Sequence, residues 1–364
     1  MLIQELTSYL ENYAPLNYQE NYDNSGLIVG NKNKEIKKAL ISLDCTEAVI
    51  DEAIKNKCDI VISHHPIVFK GLKKFNGNNY VERVVIKAIQ HHIAIYAIHT
   101  NLDSVHNGVN AKICEKIGLV NCQILEPKAN LLRKLVFFVP TANAQNVKHH
   151  VFKAGAGQVS NYSECSFNVA GVGTFKANDA ANPFVGEINE THEEPEMRIE
   201  VIYPTGAEKK IINALIKNHP YEEVAYDIYP IENKHQLVGS GMIGELETEV
   251  DSLTFLQLLK DKMQLSVIRH TQILNKSIKK VAVCGGSGSF LLNKAIQANA
   301  DAFVTADFKY HEFFDADGNL MIADIGHFES EQFTQHLLLE IITNKFPKFA
   351  IRLTENNTNP IKYF

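Results

Sequence analysis

"IKKALISLDCTEAVIDEAIKNKCDIVISHH", residues 36–65, aligns without a gap on "IKKVAVCGGSGSFLLNKAIQANADAFVTAD", residues 278–307. Ile36/Ile278, Lys37/Lys279, Lys38/Lys280, Ala53/Ala295, Ile54/Ile296 and Asp59/Asp301 are identical, and most other positions keep their polarity. Each copy reads as an apolar strand, a turn, an amphipathic helix and a second apolar strand, the signature of a βαβ unit and hence of a parallel sheet. Each continues to a further apolar run, "IAIYAI" (93–98) and "LMIADI" (320–325). Gapless register over that length favours duplication over chance. The expectation is an α/β chain of two similar halves whose strand ends face one cleft.

Between the halves the pattern changes. "LLRKLVFFVP" (131–140) reads as a strand, and the stretch after Ala142 as a helix ending at Gly155 and Gly157. A Gly/Asn-rich region follows, then strand "MRIEVIYP" (197–204), helix "AEKKIINALIKNHP" and strand "EEVAYDIYPI". That order is ferredoxin-like. With "EPKAN" and "ENKHQLVGSG" as boundaries, the expected domains are 1–127 and 239–364 as two halves and 128–238 as an α+β insert. The tyrosines of "YEEVAYDIYP" read as core and subunit contact.

At 364 residues the chain is long enough for two or three cores. A net charge of −6 without a dense Lys/Arg block gives no nucleic-acid footprint. The start, "MLIQELTSYLENYAPLNY", is acidic and amphipathic, unlike a signal peptide, and no run reaches membrane-spanning length. The six scattered cysteines contain no C-x-x-C, which points to free thiols in a reducing cytoplasm.

Within a strand, adjacent side chains point to opposite faces, so His64 and His65 must lie beyond the end of Asp59–Ile62 to share a ligand. Pro66 agrees, since it removes a ladder donor and biases His65 to a turn. The crevice beyond carboxyl ends of parallel strands is where α/β sheets bind ligands. After "IAIYAI" come His99, Asn101 and Asp103; after "LMIADI" come His327 and Glu331, four apart and so on one helix face. His64, His65, Asp103, His327 and Glu331 therefore form the expected ligand set. Imidazole with carboxylate suits Zn, Fe, Mn or Co, and five ligands suit two ions bridged by a carboxylate. Glu331 is the candidate bridge, with His64 and His327 expected on one ion and His65 and Asp103 on the other. His99, Asn101, Asp307 and His311 either orient ligands or contact substrate, or are structural. "CGGSGSF" (Gly285, Gly286, Gly288) either cradles an anion with free N–H groups or makes a tight turn. Thr46 reads as a helix cap, and His91 and His92 as surface.

These motifs resemble the Nif-three-like dinuclear metal-centre proteins, labelled homologues of a type 2 GTP cyclohydrolase I. The resemblance runs through "DNSGLIVG", "SHHPIVF", "HTNLD" with "NGVN", "GGSGSF", "DFKYHEF" and "GHFESE", and in the insert through "NYSECSF", "GVGTF", "NPFVGE" and "HPYEEVAYDIYP". It implies two divalent metals per chain on the same five residues, a PII/CutA-like insert and a toroidal homohexamer. Tyr22 stands where that family usually has tryptophan, a departure expected to affect packing near the start. The function expected is metal-dependent hydrolysis of a nucleotide-like or phosphorylated small molecule. The alternative is a non-enzymatic metal- or effector-binding protein.

Overall fold

The protein is described by a computed structural model covering residues 1–159 and 161–364. The described residues form a mixed α/β fold with three sheets and two compact units, one of 1–127 with 237–364 and the other of 128–236. In chain order the strands are β1 (Gly26–Val29), β2 (Lys38–Ser42), β3 (Ile60–Ser63), β4 (Ala94–Ala97), β5 (Leu119–Lys128), β6 (Leu132–Pro140), β7 (Phe167–Lys176) and β8 (Thr191–Pro204). There follow β9 (Tyr226–Pro230), β10 (His235–Val250), β11 (Arg269–His270), β12 (Ile278–Ser287), β13 (Ala302–Ala306), β14 (Met321–Asp324) and β15 (Ala350–Leu353).

In the larger unit one sheet has the order β1-β4-β3-β2-β15 and the other β11-β14-β13-β12-β10-β5. β2, β3 and β4 are parallel, as are β12, β13 and β14, and each trio is edged by an antiparallel strand, β1 or β11. The registers correspond: Ala39 faces Ile60 and Ile41 faces Ile62, as Val281 faces Ala302 and Val283 faces Val304. Asp59 accepts the amides of Lys37 and Lys38, as Asp301 accepts those of Lys279 and Lys280. In each case one carboxylate fixes the start of a strand. Thr46 caps the helix Glu47–Lys55 by accepting from Val49 N. Ile60, Val61 and Ile62 are fully buried, each such side chain contributing about 1.5–3 kcal/mol of hydrophobic stabilisation.

The two sheets do not divide the chain at the insert. β5, from residues 119–128, joins the sheet of β12, β13 and β14, and β15, from residues 350–353, joins the sheet of β2, β3 and β4. β5 and β10, neighbours in the former sheet, run into the stretches "EPKAN" and "ENKHQLVGSG" read above as domain boundaries. Gly239 explains the missed strand: a Cβ there would meet Glu126 O at 2.2 Å, so glycine marks close backbone approach inside a strand.

The smaller unit runs strand–helix–strand–strand–helix–strand, with helices Ala144–Lys153 and Glu208–Asn218. Its antiparallel sheet has the order β7-β8-β6-β9. Leu135, Phe137, Val139, Val147, Val151, Ile199, Val201, Tyr203, Ile211 and Leu215 make its core. β8 is longer than the expected 197–204. Tyr226 and Tyr229 are exposed on the edge strand β9, one on each face since they are three residues apart, so of their reading as core and subunit contact the core part does not hold.

Candidate metal centre

Six strand ends of the larger unit supply the site. His64 and His65 follow β3, and His99 with Asp103 follow β4, Asp103 lying in the helix Thr100–Ser104. Asp44 follows β2, Asp307 follows β13, and the glycine loop closes β12. After β14, Gly326 adopts φ +90° and starts the helix His327–Glu331, which places His327 and Glu331 on one face.

The Glu331 carboxylate is buried between two groups. Its Oε1 lies 3.8 Å from His64 Nε2, which is 3.5 Å from Asp103 Oδ1. Its Oε2 lies 3.0 Å from His65 Nε2 and 3.3 Å from His327 Nε2, and those two nitrogens are 3.4 Å apart. The pairing expected from sequence is thereby corrected: His64 groups with Asp103, and His65 with His327. The turn after β3 aims the adjacent imidazoles to opposite oxygens of one carboxylate.

Each imidazole is held from behind. His64 Nδ1 donates to Ile98 O at 2.8 Å, His65 Nδ1 to Asp44 at 2.8 Å, His327 Nδ1 to Asp307 at 2.7 Å and His99 Nδ1 to Asp23 at 2.8 Å. Fixing Nδ1–H in this way leaves Nε2 as the ligating nitrogen, the arrangement metal-binding histidines use. Burial opposes charge on His65, but the carboxylates of Asp44 and Glu331 outweigh it and raise its pKa to about 10. Burial likewise opposes charge on His327, but Glu331 and Asp307 raise it to about 9. Burial works against the Glu331 anion, yet the imidazoles of His327, His64 and His65 hold it well below the usual carboxylate range. Asp103 is raised, by burial and by Glu331, against the pull of His64.

The residues fit a metal ion. His64 Nε2 and Asp103 Oδ1 are buried atoms without a hydrogen-bond partner, which is costly unless something else binds them. Three groups, His64/His65/His99, His65/His327/Glu331 and His64/Asp103/Glu331, each bring their ligand atoms within 4.8 Å of one another and could hold an ion. The nearby Cys284 thiol is pushed up by burial and by Asp103 and Glu331.

The other expected residues divide. Asp307 orients His327. Asn101 is buried, accepts from His99 N and donates to Ala14 O, a structural role. His311 is exposed among the rings of Tyr310 and Phe314 and belongs to none of the three groups. Gly285 and Gly286 do not offer free amides: they donate to Asn110 Oδ1 and Ser330 Oγ, both at 2.9 Å. Gly288 is pressed against Thr305 and Cys284. Of the two readings of this loop, the tight turn is the one its hydrogen bonds match. Tyr22 is 69% exposed, so its departure from tryptophan falls on the surface and not on packing. Sequence reasoning missed Asp44, Asp23, Asn110 and Ser330. Asp44 carried a signal in its place beyond β2, and Asp23, Asn110 and Ser330 in the motifs "DNSGLIVG", "NGVN" and "GHFESE" that contain them.

A cleft at parallel strand ends, lined by back-held imidazoles and two carboxylates, defines an α/β protein with a candidate metal site. The chain belongs to the Duf34/NIF3 (NGG1p interacting factor 3) family, whose model matches residues 1–360. It is 37% identical over 370 residues to a Bacillus subtilis protein named "GTP cyclohydrolase 1 type 2 homolog", covering 99% of this chain and 98% of that one. A Halalkalibacterium halodurans protein of the same name is 39% identical over 327 residues, covering 89% and 88%. The solved structure of a Bacillus cereus protein related to NIF3 matches with a TM-score of 0.87 at 36% identity, covering 100% of this chain and 99% of that one. Among the described residues no helix is long and apolar enough to cross a membrane.

Proposed function

We propose that this protein is a metal-dependent hydrolase whose centre takes two divalent ions per chain. The observation that carries the reading is Glu331, whose Oε1 faces His64 and Asp103 while its Oε2 faces His65 and His327. Two ions would supply Lewis-acid polarisation of a substrate oxygen and activation of water near neutral pH. The chain's residues position the rest. Asp44, Asp307 and Ile98 O fix three ligand rings, and His99, held by Asp23 with its ring against those of His64 and His65, would contact the substrate.

A nucleotide-like or phosphorylated substrate belongs to the proposal through the name of the relatives and through Lys70, Lys73 and Lys74, exposed in the segment after His65. The glycine loop lends it no support, its amides being engaged. The duplicated halves belong to it through the matching registers, and the PII/CutA-like insert through its ferredoxin-like strand order. The family resemblance adds a toroidal hexamer, for which exposed Phe290, Tyr310 and Phe314 offer apolar surface. Six free cysteines accord with a cytoplasmic location.

One observation favours the second reading, a metal- or effector-binding regulator: a cavity of about 590 Å³ in the smaller unit, lined by Phe138, Val172, Phe175, Phe184, Glu196 and Tyr221. The test is anaerobic purification, metal loading and a screen of phosphoesters, nucleotides and amides. Metal-dependent turnover that His65→Ala and His327→Ala abolish supports the hydrolase. A fully loaded protein inert towards all three classes supports the regulator.

A further inference from the structure

Beyond β15 the chain runs without regular structure from Thr354 to Phe364, yet its polar side chains are committed one by one. Thr354 Oγ1, Glu355 N and Asn356 Nδ2 all donate to the Glu52 carboxylate, at 2.5, 3.1 and 2.7 Å. Glu52 lies on the first-half helix Glu47–Lys55. Thr358 Oγ1 then donates to Asp44 Oδ2 at 2.6 Å, while Asp44 Oδ1 accepts from His65 Nδ1 at 2.8 Å. The next residue, Asn359, donates through Nδ2 to Glu329 Oε1 at 2.9 Å. Glu329 belongs to the helix His327–Glu331, and its other oxygen packs so closely on Gly326 that a Cβ there would meet it at 2.3 Å. Thr358 and Asn359 thus tie the loop that orients one ligand to the helix that carries two others.

We propose that this tail is a strap across the metal cleft, in which Thr358 is a positioning residue acting on His65 through Asp44. The inference rests on the metal-centre reading above. A carboxylate with one hydrogen bond can swing about its Cβ–Cγ bond; a donor on its second oxygen fixes its plane and so the imidazole it holds. Partners at this remove from a metal change its affinity by roughly 10–100-fold, because ligating constellations tolerate only about 0.5 Å of error. The tail's anchoring does not require this contact, since three donors already hold Glu52. The Thr358 hydroxyl is directed instead to the one carboxylate that orients His65.

The test is stepwise Co²⁺ titration with chelator competition on the full chain, with Thr358→Val, Thr358→Ser, Asp44→Asn and the Asp44→Asn/Thr358→Val pair. Thr358→Val should weaken one binding step about tenfold and leave the other within about twofold. Asp44→Asn should weaken the same step, and the double variant should be no weaker than Asp44→Asn alone, because threonine acts through the aspartate. Thr358→Ser should restore the parent affinity. Unchanged steps in Thr358→Val, equal losses in both, an additive double variant or a serine without rescue would each overturn the strap. A parent protein that takes up no Co²⁺ at all would overturn the metal-centre reading and the strap with it.

Discussion

Gly286→Ala adds a single methyl group against the buried Glu331 carboxylate. Gly286 has φ +60°, in the left-handed region that costs an L-residue roughly 1–2 kcal/mol. Its new Cβ would stand 2.5 Å from Glu331 Oε1, 3.2 Å from His327 Cε1 and 3.3 Å from His327 Nε2. Real Cβ atoms stay beyond 3.0 Å of such neighbours, so the buried carboxylate must retreat by about half an ångström, the limit that functional constellations tolerate. The variant should melt below the parent by the backbone cost and lose roughly 10–100-fold in metal affinity. Gly285→Ala is the matched control. Its Cβ would meet Val109 and Ile113 methyls at 3.1 and 3.3 Å and Glu331 Cγ at 3.4 Å, without a positive φ, and metal uptake should persist. Calorimetric melting and metal titration decide it. A Gly286→Ala protein that takes up two ions at parental affinity would refute the reasoning that this loop exists to make room for Glu331.

Metal uptake should release protons at pH 7, because His65 and His327 hold theirs up to about 10 and 9 in the ion-free site; affinity should therefore rise with pH towards those values. Titration calorimetry in buffers of different ionisation heat measures the release, and an affinity constant between pH 6 and 9 would contradict it. Glu52 is held below the ordinary glutamate value: burial opposes its charge, but Thr354, Glu355 N and Asn356 outweigh that. A depressed carboxylate contributes stability that is present above its unfolded pKa and lost as pH falls through its folded one. Denaturation of Glu52→Gln should therefore show less loss of stability on acidification below about pH 4 than the parent, and an identical acid profile would discount the contact. Removing residues 128–236, the smaller unit, with a short linker should leave a soluble, metal-binding protein of altered oligomeric state, as size-exclusion chromatography and metal analysis would record. A deletion that cannot fold would count against the modular reading.

The strands were legible where burial is two-sided. Ile60–Ile62 and Met321–Ala323 read as apolar runs because nothing polar fits between covered faces. His327 and Glu331 were legible because helical spacing is a local property. Their grouping was not, since it depends on how one turn aims His64 and His65 at opposite oxygens of a residue 266 positions away from His65. The gapless alignment of 36–65 on 278–307 held a further clue: Asp307 aligns with His65, and Asp44 with Gly286. Asp44 backs His65, whereas Asp307 backs His327. Aligned strand ends therefore carry different parts of the constellation, which residue type alone cannot reveal. β10 was hidden by its glycines, which read as a linker and instead admit a neighbouring backbone.

Metal stoichiometry of the anaerobically purified protein beside Glu331→Ala tests the central claim most directly. The parent should carry about two divalent ions per chain, and the variant should lose the greater part of both, because Glu331 faces each group with a separate oxygen. Full occupancy in Glu331→Ala, or a parent that binds no ion under loading conditions, would contradict the account.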